Sequence, residues 1–138
     1  MEEFRHVVVA TDGSPGAARA LDAALRVVGP LKASLTVLSV IEPESTPSGT
    51  AEDVERLKRT MAGCCEEFCN RARAAGVRHV KPVLEVGLAY SRILHYCETY
   101  GADLLVLGAR GASTLAPDLG TVCSHVARFA TCPVLIVK

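Results

Sequence analysis

Tryptophan is absent from this chain, and phenylalanine and tyrosine bring the aromatic share to only 4%. A surface that stacks nucleic-acid bases on aromatic rings needs more than that. Charge of one sign is missing too: fifteen Lys and Arg balance fifteen Asp and Glu, and no Lys/Arg run occurs. The electrostatic footprint of a nucleic-acid binder is therefore not there. No apolar stretch approaches the roughly 18 residues that would span a membrane. The opening Met1-Glu2-Glu3-Phe4-Arg5 is charged and leads straight into a strand-like run, unlike a secretory leader. These absences set the expectation: a cytoplasmic protein with neither nucleic acid nor membrane as a partner.

The common catalytic signatures are missing as well. There is no G-x-x-x-x-G-K-[ST] phosphate loop, no G-x-G-x-x-G, no G-x-S-x-G and no C-x-x-C. The histidines His6, His79, His95 and His125 show no ligand spacing with an acidic or cysteine partner, so no metal site is expected. The six cysteines, in a chain of this length without a leader, read as reduced thiols. Cys65 and Cys69 share a helix face and read as small core residues, whereas Cys64 falls on a neighbouring side and is the better candidate for an oxidisable thiol. No pair of carboxylates is placed for acid–base work, and no catalytic residue is assigned.

What is present is a core. Apolar residues make up 49% of 138, enough for one domain spanning residues 1–138. The β-branched run His6 to Ala10 reads as a central strand. Thr11-Asp12-Gly13-Ser14-Pro15 stops it, with Ser14 as N-cap and Pro15 opening a helix that Gly29-Pro30 should end. Ser34 to Ile41 is a second strand, and Glu42 to Thr50 a loop. A long helix follows, its stripe running from Val54 to Ala75, with Gly76 beyond it. Val80 to Val86 is a third strand, and Pro82 within it marks a sheet edge. The next helix turns Tyr90, Ile93, Leu94, Cys97 and Tyr100 inward. Leu104 to Leu107 is strand four. The last helix buries Leu119, Val122, Val126, Phe129 and Ala130, and Val134 to Val137 is a final strand.

Strands alternating with helices imply a parallel sheet covered on both faces, an α/β, Rossmann-like arrangement. Ligands of such sheets sit beyond the carboxyl ends of the strands. Two glycine-bearing turns follow strand ends: Asp12-Gly13 and Gly108-Ala109-Arg110-Gly111. The stretch from Leu104 to Val122 combines a buried strand, a glycine loop and a helix start at Gly120-Thr121. Such a combination aims backbone N–H groups at a phosphate. Gly108 suits the loop through its tolerance of positive φ and its lack of a Cβ, and Thr121 adds a hydroxyl. Asp12 has two readings, a crevice carboxylate for a ribose hydroxyl or metal ion, or a turn residue bonded to its own backbone.

Over nearly its whole length the chain resembles the small, single-domain universal stress proteins. The likeness rests on Val7-Val8-Val9-Ala10-Thr11-Asp12-Gly13-Ser14, on Leu35 to Val40, and most densely on Gly101 to Gly111 and Cys132 to Val137. It implies an open five-stranded parallel sheet in order 3-2-1-4-5, with helices on both faces. It further implies a homodimer formed through the last strand, Val134, Leu135, Ile136 and Val137. For one branch of the family it implies ATP, with or without magnesium, or another adenine nucleotide. That branch carries G-x-x-G, nine residues, then G-[S/T]. Gly108 and Gly111 match the first pair and Gly120-Thr121 the second; Asp12 matches the acidic position and Val40 the residue whose backbone meets adenine. Thr11, Leu107, Arg110 and Val122 flank these positions and complete the expected site. Only eight residues, Ala112 to Leu119, separate Gly111 from Gly120, and Asp118 stands two residues before Gly120, where it has two readings, a cap of the helix or a carboxylate that competes with a nucleotide's phosphates for the same donors. The expected function is an ATP-binding stress-response regulator with at most slow hydrolysis. The alternative is a protein-interaction module of the same fold that has lost tight nucleotide binding.

Overall fold

A computed structural model describes residues 4–109 and 120–138. Five strands, β1 (His6–Ala10), β2 (Ser34–Ile41), β3 (Val80–Val86), β4 (Leu104–Gly108) and β5 (Val134–Val137), form one sheet in the order β3-β2-β1-β4-β5. All pairings are parallel, with Val7 opposite both Leu35 and Leu104. The helices are α1 (Pro15–Leu31), α2 (Ala51–Ala74), α3 (Ala89–Tyr100) and α4 (Thr121–Phe129).

The strand period of two sorts side chains onto the two faces. Val7, Val9, Leu35, Val37, Leu104 and Val106 pack with Leu21 of α1 and Cys65 and Phe68 of α2. Val8, Leu38, Leu105 and Leu107 pack with Ile93, Tyr96 and Cys97 of α3 and Cys123 and Val126 of α4. Val7, Val8 and Val9 are wholly buried, as a central strand covered on both sides should be. Pro82, opposite Val37 on β3, lies on the outer strand, where its missing N–H leaves no ladder bond unmade on the open side.

Three local expectations give way. Helix α1 runs through Gly29-Pro30 to Leu31 and ends with Lys32 in the left-handed region at φ 56°. A proline in the last turn removes one donor without removing the turn. Tyr100 and Phe129, expected inward, are 61% and 56% exposed. Each is the last residue of its helix, where the chain turns away from the core. Tyr96 is buried in place of Tyr100, and their rings lie 4.6 Å apart.

Candidate functional site

A cleft of about 370 Å³ opens beyond the carboxyl ends of β2, β1 and β4. The order reverses at β1 and β4, consecutive neighbours in space but far apart in sequence, and such a switch point is where ligands enter open α/β sheets. Three elements build its wall.

The first is the turn from β1 into α1. Thr11 is buried, and its N–H donates to the Leu38 carbonyl at 2.9 Å. Its Oγ1 accepts from Gly13 N at 3.1 Å, and Asp12 Oδ1 accepts from Ser14 N at 2.9 Å. Ser14 Oγ then accepts from Ala17 N at 3.2 Å, capping α1. Gly13 has φ 81°, a conformation that the tight turn demands and other residues resist. Asp12 thus is a turn residue bonded to its own backbone, and it lines the cleft as well.

The second element runs from β4 to α4. Gly108, Leu107, Gly120, Thr121 and Val122 all line the cleft. Gly120 N donates to the Ala109 carbonyl at 2.8 Å, which ties the start of α4 to the end of β4. Gly120 is the N-cap of α4 and brings no side chain to its orphan N–H groups; among the described residues no side chain caps them. Such an end carries a partial positive charge. Gly108 is required for a reason other than the expected one. It is not among the positive-φ glycines, but a Cβ there would lie 3.0 Å from the Gly16 carbonyl oxygen. The missing side chain lets β4 approach the first turn of α1.

The third element is the end of β2 with the start of α3: Leu38, Val40, Glu42, Ser45, Ala89 and Ile93. Glu42 Oε2 accepts from Ala89 N at 3.2 Å, serving α3, whose N-cap residue Leu88 makes no side-chain cap.

Of the residues expected at the site, Thr11, Asp12, Val40, Leu107, Gly108, Gly120, Thr121 and Val122 therefore meet around one cleft. Arg110, Gly111, Asp118 and the eight-residue spacer lie outside the described residues. Sequence reasoning missed Ser14, Ala17, Glu42, Ser45 and Ala89. The acidic residue closing β2 was the available signal for Glu42, since the end of every strand beside the switch point faces the same crevice.

Cys64 is half-buried behind the first turn, its Sγ 4.0 Å from Thr11 Oγ1. Burial, then the neighbouring Cys64, Cys69 and Glu66, push the Cys65 thiol up to about 12. Burial, then Cys132, push Cys97 up to about 12. Such thiols stay protonated at neutral pH and are poor nucleophiles. Among the described residues no helix is long and apolar enough to cross a membrane.

Comparisons with known proteins give the family and the fold. The profile of the universal stress protein family matches residues 3–138. A universal stress protein of Mycobacterium tuberculosis (strain H37Rv) is 32% identical over 144 residues, covering 99% of this chain and 98% of the relative. A solved universal stress protein in complex with cAMP is 30% identical, with a TM-score of 0.79 over 99% of this chain and 98% of the other. The universal stress protein UspA from Lactobacillus plantarum has the same fold, with a TM-score of 0.89 at 22% identity and full coverage of both chains.

Proposed function

Because the chain belongs to the universal stress protein family, we propose that its cleft binds an adenine nucleotide, with ATP as the ligand, and that the protein acts as a homodimeric regulator of the stress response. The observation that carries the reading is the start of α4, which opens without a side-chain cap from any described residue into the cleft beside Gly108. Orphan N–H groups at a helix start are suited to phosphate oxygens. A similar solved structure holds cAMP, which supports an adenine nucleotide as the class.

In this reading Gly120, Thr121 and Val122 receive phosphate, with Arg110 and Gly111 completing the loop. Asp12 faces the ribose hydroxyls, and the backbone of Val40 meets the base. Thr11, Leu107 and Gly108 shape the floor. The carboxylates that line the cleft among the described residues, Asp12 and Glu42, each accept a backbone N–H, which favours a binder with at most slow hydrolysis over an efficient hydrolase. The homodimer forms through β5, an outer strand whose Val134, Leu135, Ile136 and Val137 are all apolar and only half-buried. An apolar strand edge of this kind invites a partner strand.

A second reading, an interaction module without tight nucleotide binding, is favoured by the eight-residue spacer from Ala112 to Leu119, one shorter than in the motif the chain otherwise matches. Denaturing freshly purified protein and identifying any released nucleotide separates the two. Recovery of an adenine nucleotide near one per chain is expected. A nucleotide-free protein that also fails to bind added ATP would decide for the interaction module.

A further inference from the structure

We infer that Glu42 selects the base: its carboxylate accepts a hydrogen bond from the exocyclic amino group of a 6-aminopurine, so the cleft discriminates against 6-oxopurines. The inference rests on the nucleotide reading above and adds to it the residue that sets base preference.

Among the described residues, carboxylates line the cleft at two places, each beyond the end of a different strand. Asp12 follows β1, at the middle of the sheet, while Glu42 follows β2. The α4 start and Gly108 lie over β4. From β4 to β2 is two strand spacings, about 10 Å, comparable to the reach from a nucleoside's phosphate across its ribose to its base. A phosphate on α4 and a ribose beside Asp12 therefore bring the base to Val40, Ala89 and Glu42.

The carboxylate at that end is oriented. Oε2 accepts from Ala89 N at 3.2 Å, at the first residue of α3. The positive end of the helix favours the anion and fixes its plane. One oxygen is thereby engaged, and a carboxylate retains further acceptor capacity on the other. Leu38, Val40, Ala89 and Ile93 make this end largely apolar, with the Ser45 hydroxyl beside it, so Glu42 is the charged acceptor that a donor on the base finds there, next to the backbone of Val40. An ionised carboxylate only accepts. It matches the amino group at C6 of adenine, and in the same pose it faces the carbonyl oxygen of hypoxanthine or guanine, acceptor against acceptor. A site built for a donor rejects an analogue that lacks it far more strongly than apolar contact could.

The test is calorimetric titration of the whole chain with ATP and with ITP, which replaces the amino group at C6 by a carbonyl. Wild type is expected to prefer ATP by about tenfold or more. Glu42→Gln keeps an oxygen for Ala89 N, and its amide can turn to donate. It should bring the ratio to within about twofold, with circular dichroism confirming an unchanged fold. Thr121→Ala, at the phosphate end, should weaken both nucleotides by the same factor and leave the ratio intact. Equal affinities in wild type, or an unchanged ratio in Glu42→Gln, would overturn the role of Glu42 while leaving nucleotide binding in place. Failure of wild type to bind either nucleotide would overturn both.

Discussion

Of the three helices that start at this cleft, α1 and α4 start most differently. At α1 the chain closes on itself: Thr11 Oγ1 takes Gly13 N, Asp12 Oδ1 takes Ser14 N, and Ser14 Oγ takes Ala17 N. At α4 the N-cap is Gly120, with φ −66° and ψ 164°, and among the described residues no side chain fills that role. Both follow a strand end of the same sheet, so the difference lies in the side chains and not in the plan. A closed helix start is a positioning device; an open one keeps its N–H groups for something else. In this protein the closed end fixes Asp12, and the α4 start, which no described side chain caps, lines the same cleft.

The contrast can be broken most severely at Gly108, which joins the two ends by packing on Gly16. Gly108→Val puts side-chain atoms against backbone that cannot swing aside. A loss of about 2–3 kcal/mol of stability is expected, read as a lower urea midpoint. Unchanged stability with lost ATP affinity would instead make Gly108 a ligand-contact residue only.

The closed end also has a chemical reporter. Half-buried Cys64 sits against Thr11, while Cys65 beside it and Cys97 on the other face are both pushed up to about 12. Their folded pKa lies above the value of about 8.5 expected in the unfolded chain. Unfolding therefore releases protons above that pH, and stability is fully present below it and falls as pH rises toward 12. The slope is on the order of 1 kcal/mol per pH unit for each thiol. Urea midpoints at pH 8 and pH 10 should show the fall, and a thiol reagent at pH 8 should label Cys64 before Cys65 or Cys97. Labelling of all three at one rate would contradict this assignment.

Ser14→Ala should be milder. Losing the cap of α1 costs about 1 kcal/mol, and ATP affinity should stay within about twofold if α1 only positions the turn. A large loss of affinity at unchanged stability would mean that the closed end meets the ligand directly.

Much of this frame was legible in the residues. The runs at His6–Ala10, Ser34–Ile41 and Val80–Val86 coincide with the strands to the residue, because the first two are rich in apolar and β-branched residues, the third carries Val80, Val83, Leu84 and Val86, and turn residues bound them. Pro82 announced the outer strand by its missing donor. The role of Gly108 was not legible, since its neighbour Gly16 is brought to it only by the packing of α1 on β4. Glu42 was hidden for a similar reason. It opens a segment that reads as a loop, and its partner Ala89 lies 47 positions away. Tyr96 and Tyr100 were exchanged because a helical stripe says nothing of where the helix leaves the core.

The central claim is that the start of α4 receives phosphate. It is tested most directly by calorimetric titration of the wild-type chain with ATP and with adenosine under identical salt. Adenosine can fill the base and ribose ends of the cleft but offers nothing to α4. Charge-assisted hydrogen bonds to a helix start should make ATP tighter by about tenfold or more. Adenosine binding as tightly as ATP, or binding of neither, would contradict the account.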